Sequence, residues 1–152
     1  MEVRNANVGD VPTINALVGD FAGQDRMLFR APADIYENLQ TFFVAVDGER
    51  LVGCCALEVI WADLAEIKSL AVSTRVQGRG VGTALVDAAV HAARHLQVPK
   101  VFALTLEPRF FERCGFHIVE KEFFPMKVWS DCARCPKQDH CDEIAMIRML
   151  DA

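Results

Sequence analysis

The sequence lacks the features that mark membrane and secreted proteins. Although 52% of its 152 residues are hydrophobic, no uncharged apolar run approaches the roughly 18 residues that a membrane-spanning helix needs. The first ten residues, MEVRNANVGD, do not place a basic region before an apolar stretch, as a secretory signal would. We therefore expect a cytoplasmic protein without a membrane segment.

An excess of positive charge is also missing. The 16 Lys and Arg residues are outnumbered by 21 Asp and Glu residues, which gives a formal net charge of −5. Broad surfaces for nucleic acids and anionic membranes are basic, so this balance argues against both partners. We expect a small-molecule substrate instead.

Repeats, low-complexity tracts and linker-like stretches do not occur either, so we expect one domain over residues 1–152. Hydrophobic periodicity predicts a first helix that Asp10 caps and Gly23 ends, and a second helix in ADIYENLQ. A long helix is predicted from Gly80 and a short one in PRFFERCG. Strands are predicted in TFFVAV, RLVGCCALEVI, AEIKSLAVS, KVFALTL, FHIVEKE and EIAMIRML. This order predicts a mixed α/β fold.

Three closely spaced glycines precede the long helix, at Gly78, Gly80 and Gly82. Backbone N–H groups at a helix start, with no Cβ in front of them, form a site for a phosphate. A tight turn that lets the helix pack closely on a strand would need glycine as well. The segment fits neither GxxxxGK[ST] nor GxGxxG, so the residues alone leave both interpretations open.

The glycine segment QGRGVG, with EIKSLAV before it and FFERCGF after it, resembles the acetyl-CoA signature R/Q-x-x-G-x-G/A of the GNAT superfamily of N-acetyltransferases. The resemblance covers almost the whole chain. It implies an α/β (α+β) fold with a mostly antiparallel sheet of about six to seven strands, a central parallel splay and about four flanking helices. It also implies acetyl-CoA as co-substrate and a homodimer. The cofactor-binding residues that it implies are Leu70, Ala71, Val72, Val76, Gln77, Gly78, Arg79, Gly80, Val81, Gly82, Thr83 and Phe111.

Glu66 is the candidate catalytic base, because some members of the family carry a carboxylate at this place. Strand alternation predicts that Glu66, Lys68 and Leu70 share one face of the strand. The alternative is a glutamate in solvent or paired with Lys68. A backbone N–H near Ala71 or Val72 would polarise the thioester carbonyl.

The usual general acid is absent. Many members of the family carry tyrosine where this chain has Phe111, which has no proton to donate. The one tyrosine, Tyr36, lies in the predicted second helix. Either water protonates the leaving thiolate, or the thiolate leaves unassisted, or Cys114 or another group contributes, although Cys114 is better explained as a core residue.

Four segments, MLFR, EIKSLAV, FALTLEPRFFERCGF and PMKVWSDCARCPKQDHCDEIAM, resemble the short amino-acid N-acetyltransferases that make N-acetylglutamate, the first step of arginine biosynthesis. The resemblance implies L-glutamate as acceptor and Arg30 as a residue that binds it. Longer relatives carry an arginine-binding kinase domain, which does not fit here, so we expect no feedback through it. They also place a substrate lysine where this chain has Glu58, and Lys68 is the compensating candidate. Thr105 and Lys127 complete the substrate-binding candidates, and Arg148 is a weaker one.

Two other function classes stay open. One is acetylation of a different amine, such as another amino acid, a polyamine or a protein N-terminus. The other is a non-catalytic acetyl-CoA sensor, which the missing tyrosine favours and the retained Glu66 disfavours.

A final cluster contains Cys132, Cys135, His140 and Cys141. Four soft ligands in a compact loop suit a structural zinc site, and the C-x-x-C spacing is right for one. Because His140 and Cys141 are adjacent, both cannot easily turn toward one metal. We therefore favour reduced thiols or a redox pair, expect no metal, and keep zinc as the alternative.

Overall fold

The computed structural model describes residues 1–23, 30–120 and 143–150, with the backbone alone described for residues 21–23. Four helices are present in these parts of the chain: α1 (Val11–Gly23), α2 (Pro32–Glu37), α3 (Val81–His95) and α4 (Pro108–Arg113). The strands are β1 (Glu2–Asn5), β2 (Phe42–Asp47), β3 (Arg50–Trp61), β4 (Leu64–Val72), β5 (Lys100–Thr105), β6 (His117–Ile118) and β7 (Ile144–Met149). No helix among these residues is long and apolar enough to cross a membrane.

All seven strands form one sheet in the order β1-β2-β3-β4-β5-β7-β6. Neighbours are antiparallel except β4 and β5, which run parallel. The two parallel strands are paired at Ala65↔Val101 and Glu66↔Phe102, while β4 continues to Val72. The strands therefore diverge beyond Glu66. A mostly antiparallel sheet with a central parallel splay and four helices confirms the predicted fold class.

Each face of the sheet is covered by a helix. The buried face of α3 repeats at helical spacing through Val81, Leu85, Ala89 and Ala93, and it packs on a core that includes Ile67. On the other face, α1 buries its own apolar stripe: Val11, Ile14 and Val18. The helix and the sheet approach closely at Gly53, where a Cβ atom would lie 2.9 Å from the Leu85 side chain. The central strands are thus buried on both sides.

A β-bulge in β4 corrects one prediction about the faces of this strand. Cys54 is opposite Ala71 and Ala56 is opposite Lys68, so β4 has one residue more than β3 between these pairs. Ser69, in the bulge, has a φ of +55°, which is unusual for a residue other than glycine. Beyond the bulge Leu70 packs with the α3-side core, as Ile67 does. The prediction that Leu70 shares the face of Glu66 and Lys68 was therefore wrong.

The beginning of the chain also differs from the prediction. β1 was not predicted, because its four residues EVRN show no apolar alternation; it pairs with β2. Asp10 ends a short 3-10 helix (Val8–Asp10) before α1. Its carboxylate accepts a hydrogen bond from Asn7 N at 2.8 Å and pairs with Arg4 at 2.7 Å. The Asp10 carboxylate thus binds the backbone at the start of the 3-10 turn that leads into α1.

Candidate active site

The segment between β4 and α3 contains two glycines in the left-handed conformation. Gly78 has a φ of +85° and Gly80, which caps α3, has a φ of +80°. A Cβ atom on either residue would meet nothing within 4 Å. Glycine is therefore required here by the backbone conformation and not by close packing. The space in front of the first turn of α3 is open to an anion that could accept hydrogen bonds from its N–H groups.

Gly82 has a different role. A Cβ atom at this position would lie 3.1 Å from two atoms of the Phe110 ring. Glycine at position 82 therefore lets α4 pack against the first turn of α3. The two interpretations of the glycine segment apply to different residues, with close packing at Gly82 and an open backbone at Gly78 and Gly80.

The rest of this segment is held by local contacts. Val76 is buried in the α3-side core, and its carbonyl accepts a hydrogen bond from Arg79 N at 3.3 Å. The side chain of Gln77 donates to Val72 O at 3.3 Å, which ties the segment to the end of β4. The side chain of Arg79 is exposed beside the glycines. A fixed backbone with a cationic side chain beside it is suited to holding a diphosphate.

Four charged residues meet on the face of β4 opposite α3. Glu58 on β3 is the register partner of Glu66 on β4. The Glu58 Oε2 atom lies 3.8 Å from Arg30 Nη1 and 3.3 Å from Lys68 Nζ. Lys68 Nζ also lies 3.6 Å from Glu66 Oε1. We call Arg30, Glu58, Glu66 and Lys68 the charge cluster.

Arg30 is the most constrained member of the charge cluster. Its Nε donates to Asp34 at 2.7 Å and its Nη1 to Ser69 Oγ at 3.2 Å. The guanidinium lies over the Phe42 ring, with 5.0 Å to the ring centroid. Only 9% of the residue is exposed, so its orientation is set before any ligand arrives. A fixed planar guanidinium is well suited to binding a carboxylate through two hydrogen bonds.

Glu66 lies where β4 and β5 separate, since it is the second of the two β4 residues that pair with β5. It is 6% exposed, so the alternative of a glutamate in solvent does not hold, whereas the pairing with Lys68 does. A carboxylate in this position has limited access to water and lies next to a cation. An ionised carboxylate in this position can accept a proton from an amine that reaches it.

Three other candidates contact groups that are not part of the charge cluster. Phe111 is buried in the α3-side core, with its ring edge to face with Phe110 at 5.1 Å and with Phe116 at 5.2 Å. Thr105 Oγ1 accepts a hydrogen bond from Glu107 N at 2.8 Å and so stabilises the turn between β5 and α4. Cys114 is buried in the same core, and burial raises the pKa of its thiol. Each of these residues therefore has packing or hydrogen-bonding contacts within the fold.

Arg148, the weaker substrate candidate, donates from Nη1 to Cys114 O at 2.9 Å. Five other candidates fall outside the described residues. They are Lys127, Cys132, Cys135, His140 and Cys141. In residues 1–23, 30–120 and 143–150 no group of three or more His, Cys, Asp and Glu side chains could hold a metal ion.

Sequence reasoning missed three residues that hold Arg30. Asp34 could have been found, because it lies four residues after Arg30 at helical spacing and has the opposite charge. Phe42 and Ser69 carried no such signal. They reach Arg30 through the tertiary fold, from β2 and from the bulge in β4.

Comparison with known proteins adds a family and several relatives. Residues 15–116 match the model of the acetyltransferase (GNAT) family. An uncharacterised N-acetyltransferase of Chlorobaculum tepidum is 43% identical over 148 residues, which are 97% of this chain and 96% of the relative. An amino-acid acetyltransferase of Mycobacterium tuberculosis is 40% identical over 135 residues, which are 87% of this chain and 77% of the relative.

Two solved structures have similar folds. A Mycobacterium tuberculosis protein in complex with CoA superposes with a TM-score of 0.87 and 34% identity, over 99% of this chain and 100% of that one. The N-acetylglutamate synthase of Neisseria gonorrhoeae, complexed with CoA and N-acetyl-glutamate, superposes with a TM-score of 0.91 and 27% identity. That match covers 99% of this chain but 35% of the synthase.

Proposed function

We propose that this chain, which belongs to the acetyltransferase (GNAT) family, acetylates the α-amine of an amino acid and that L-glutamate is its acceptor. As a member of that family it is an N-acetyltransferase that uses acetyl-CoA. The observation that carries an amino-acid acceptor, with its α-carboxylate, is the charge cluster. Two cations that can bind carboxylates, Arg30 and Lys68, lie next to a buried carboxylate, Glu66, at the splay of the sheet.

Acetyl-CoA supplies the acetyl group as a thioester. We propose that the backbone N–H groups of residues 76–83 hold its diphosphate, since Gly78 and Gly80 leave the space in front of α3 open. The diverging end of β4, residues 70–72, would pair with the pantetheine arm through backbone groups that β5 does not reach. A backbone N–H near Ala71 or Val72 would polarise the thioester carbonyl.

The amine must lose a proton before it attacks the thioester. We propose that Glu66 accepts this proton, directly or through a water molecule, because it lies at the point where β4 and β5 separate. Lys68 Nζ lies 3.6 Å from Glu66 Oε1, beside the carboxylate that this role requires. Arg30 would hold the α-carboxylate of the acceptor, so that the amine points toward Glu66.

The leaving thiolate needs a proton as well. Phe111 has none to give, and Cys114 lies in the apolar core with a thiol whose pKa burial raises. We propose that water protonates the thiolate. The reaction then needs only one ionisable side chain, Glu66, for proton transfer.

Two relatives support the amino-acid assignment by name, an amino-acid acetyltransferase at 40% identity and an N-acetylglutamate synthase with a TM-score of 0.91. On this basis we propose a role in arginine biosynthesis, in the cytoplasm. We further propose one domain over the whole chain and a homodimer. Thr105 and Lys127 stay candidates for substrate contacts.

The test is release of the CoA thiol from acetyl-CoA against a panel of the twenty amino acids. Glu66→Gln should lower kcat about 10²- to 10⁴-fold, the usual contribution of a general base. Arg30→Lys should raise the KM for glutamate, because lysine keeps the charge but loses the planar pair of donors. Glu49→Gln is the matched control, since Glu49 is exposed in the turn between β2 and β3.

Each variant must still bind CoA as wild type does, which shows that it is folded. Glutamate standing out from the panel, together with the two losses above, would support the proposal. If wild type binds acetyl-CoA but acetylates no amino acid, the acceptor assignment is wrong. If Glu66→Gln turns over as wild type does, Glu66 is not the base.

A further inference from the structure

We propose that Glu58 is a specificity-determining residue. Its carboxylate, between Arg30 and Lys68, disfavours acceptors whose side chain is negatively charged. The inference rests on the proposed function, because it takes these two cations as the groups that bind the acceptor. It goes further in assigning a role to Glu58 and in stating which pairs of amino acids that residue discriminates.

The position of Glu58 differs from that of the other carboxylates nearby. Glu58 Oε2 is within ion-pair distance of both cations, 3.8 Å from Arg30 Nη1 and 3.3 Å from Lys68 Nζ. Asp34 pairs with Arg30, and Glu66 pairs with Lys68. Glu58 therefore joins the two pairs into one network. It occupies the place between the cations that a carboxylate of the substrate would otherwise take.

The charge balance of this network shows what Glu58 does to an incoming anion. Among the residues that the structure describes, Arg30 and Lys68 bring two positive charges to this network, and Asp34, Glu58 and Glu66 bring three negative ones, so their sum is −1. Without Glu58 the sum would be zero. An acceptor with a side-chain carboxylate competes with Glu58 for the same two cations. An acceptor with a side-chain amide adds no charge, and its N–H can donate to Glu58.

The charge cluster is partly buried, so this competition takes place at a partly shielded surface rather than in bulk water. The side chain of Glu58 is 21% exposed and that of Lys68 is 26% exposed, so both can be reached from solvent. Arg30 and Glu66 are 9% or less exposed. Charges in such surroundings are screened less by salt than charges on an open surface.

The register of the sheet also marks Glu58 as a functional residue. Glu58 and Glu66 are directly opposite each other on neighbouring strands, and like charges in such a pair are destabilising. The fold accepts this pair because Lys68 lies within 3.6 Å of both carboxylates. A local arrangement that costs stability, next to a proposed catalytic base, is typical of a site residue.

The experiment compares kcat/KM for two pairs of amino acids that are matched in shape and differ in charge: glutamate with glutamine, and aspartate with asparagine. Wild type is measured beside Glu58→Gln, Glu58→Asp and the control Glu49→Gln. Glu58→Gln should raise the glutamate-to-glutamine ratio about tenfold, equivalent to about 1.4 kcal/mol. The aspartate-to-asparagine ratio should move in the same direction, and the change should appear mainly in KM.

The other variants separate charge from shape. Glu58→Asp keeps the charge, so its ratios should stay within threefold of wild type, and Glu49→Gln should leave them unchanged. If Glu58→Gln no longer binds CoA, the uncharged and similarly shaped Glu58→Met takes its place with the same expectation.

The two failures are distinguishable. If wild type acetylates amino acids but loss of the Glu58 charge leaves both ratios within twofold, the inference about Glu58 is wrong and the proposed function stands. Equal shifts in Glu58→Asp and Glu58→Gln would also overturn the inference, because the cause would then be shape. If wild type acetylates no amino acid, the proposed function fails and the role of Glu58 fails with it.

Discussion

Replacing Gly80 by alanine is expected to weaken CoA binding at least tenfold at a small cost in stability. An L-residue at the φ of +80° found here is strained by about 1–2 kcal/mol. The new Cβ atom would meet nothing within 4 Å, so no packing penalty is added. For a chain of this size, that cost lowers the melting temperature by roughly 2–4 °C per kcal/mol.

The loss in CoA affinity should exceed what strain alone would cause. A Cβ atom at residue 80 would lie in open space at the N-cap of α3, where we place the diphosphate. Each hydrogen bond between a backbone N–H and a charged oxygen contributes about 1.5–3 kcal/mol, so displacing one lowers the affinity tenfold or more.

Gly48 provides a matched control. It lies in the turn between β2 and β3, has a φ of +64°, and its Cβ position is also empty within 4 Å. Gly48→Ala should therefore lower stability by about as much as Gly80→Ala and leave CoA binding unchanged. Gly82→Ala is a second comparison, because its Cβ would press on the Phe110 ring at 3.1 Å and disturb packing.

Isothermal titration of CoA and thermal unfolding, measured on the same samples, decide between the outcomes. Wild-type affinity in Gly80→Ala would refute the reasoning, because the diphosphate could not then lie against residue 80. An equal loss of affinity in Gly48→Ala would refute it too, since strain far from the site would then account for the effect.

Three further predictions concern stability and reactivity. Asp10→Asn should lower the free energy of unfolding by about 1 kcal/mol, since it removes the ion pair with Arg4. The hydrogen bond from Arg4 lowers the pKa of Asp10 in the folded state. The stability difference between wild type and Asp10→Asn is therefore fully present well above the pKa of about 3.9 in the unfolded chain. It is lost as the pH falls through the lowered pKa, and urea titrations at pH 7 and pH 2 would show it. Burial raises the pKa of the Cys54 thiol to about 12. A thiol reagent at pH 8 should therefore label Cys54 only when the protein unfolds, and mass spectrometry of the labelled peptide would show this. Gly53→Ala should cost about 1–3 kcal/mol, because its Cβ would lie 2.9 Å from Leu85; an unchanged melting temperature would show that the helix shifts without cost.

Elements with a strong local signal could be predicted from the sequence. The long amphipathic run after the glycines predicted α3, and the DGE turn between two apolar runs predicted the hairpin of β2 and β3. The placement of Glu66 and Lys68 on one face also follows from alternation alone, and their side chains do meet. These features depend on residues within a few positions of one another.

Features set by the tertiary fold could not be predicted. Nothing in EIKSLAV signals an extra residue, since serine is not a residue typical of the left-handed conformation that Ser69 adopts. Arg30 was a candidate by resemblance, but the ring of Phe42 and the hydroxyl of Ser69 that fix it come from distant parts of the chain. The second helix was predicted to extend to Gln40, but α2 ends at Glu37 and a 3-10 turn (Leu39–Thr41) follows.

The bulge at Ser69 connects the two halves of the proposed site. The Ser69 carbonyl accepts a hydrogen bond from Cys54 Sγ at 3.4 Å, and the Ser69 hydroxyl accepts one from Arg30 Nη1 at 3.2 Å. These contacts hold a backbone conformation that is strained for serine. Before the bulge, β4 presents Glu66 and Lys68 to the charge cluster; beyond it, the strand turns Leu70 to the other face and leads into the glycine segment. Ser69 thus sets the position of the proposed acceptor site relative to the proposed acetyl-CoA site. A substitution at Ser69 should therefore change the KM for acetyl-CoA and the KM for the acceptor together.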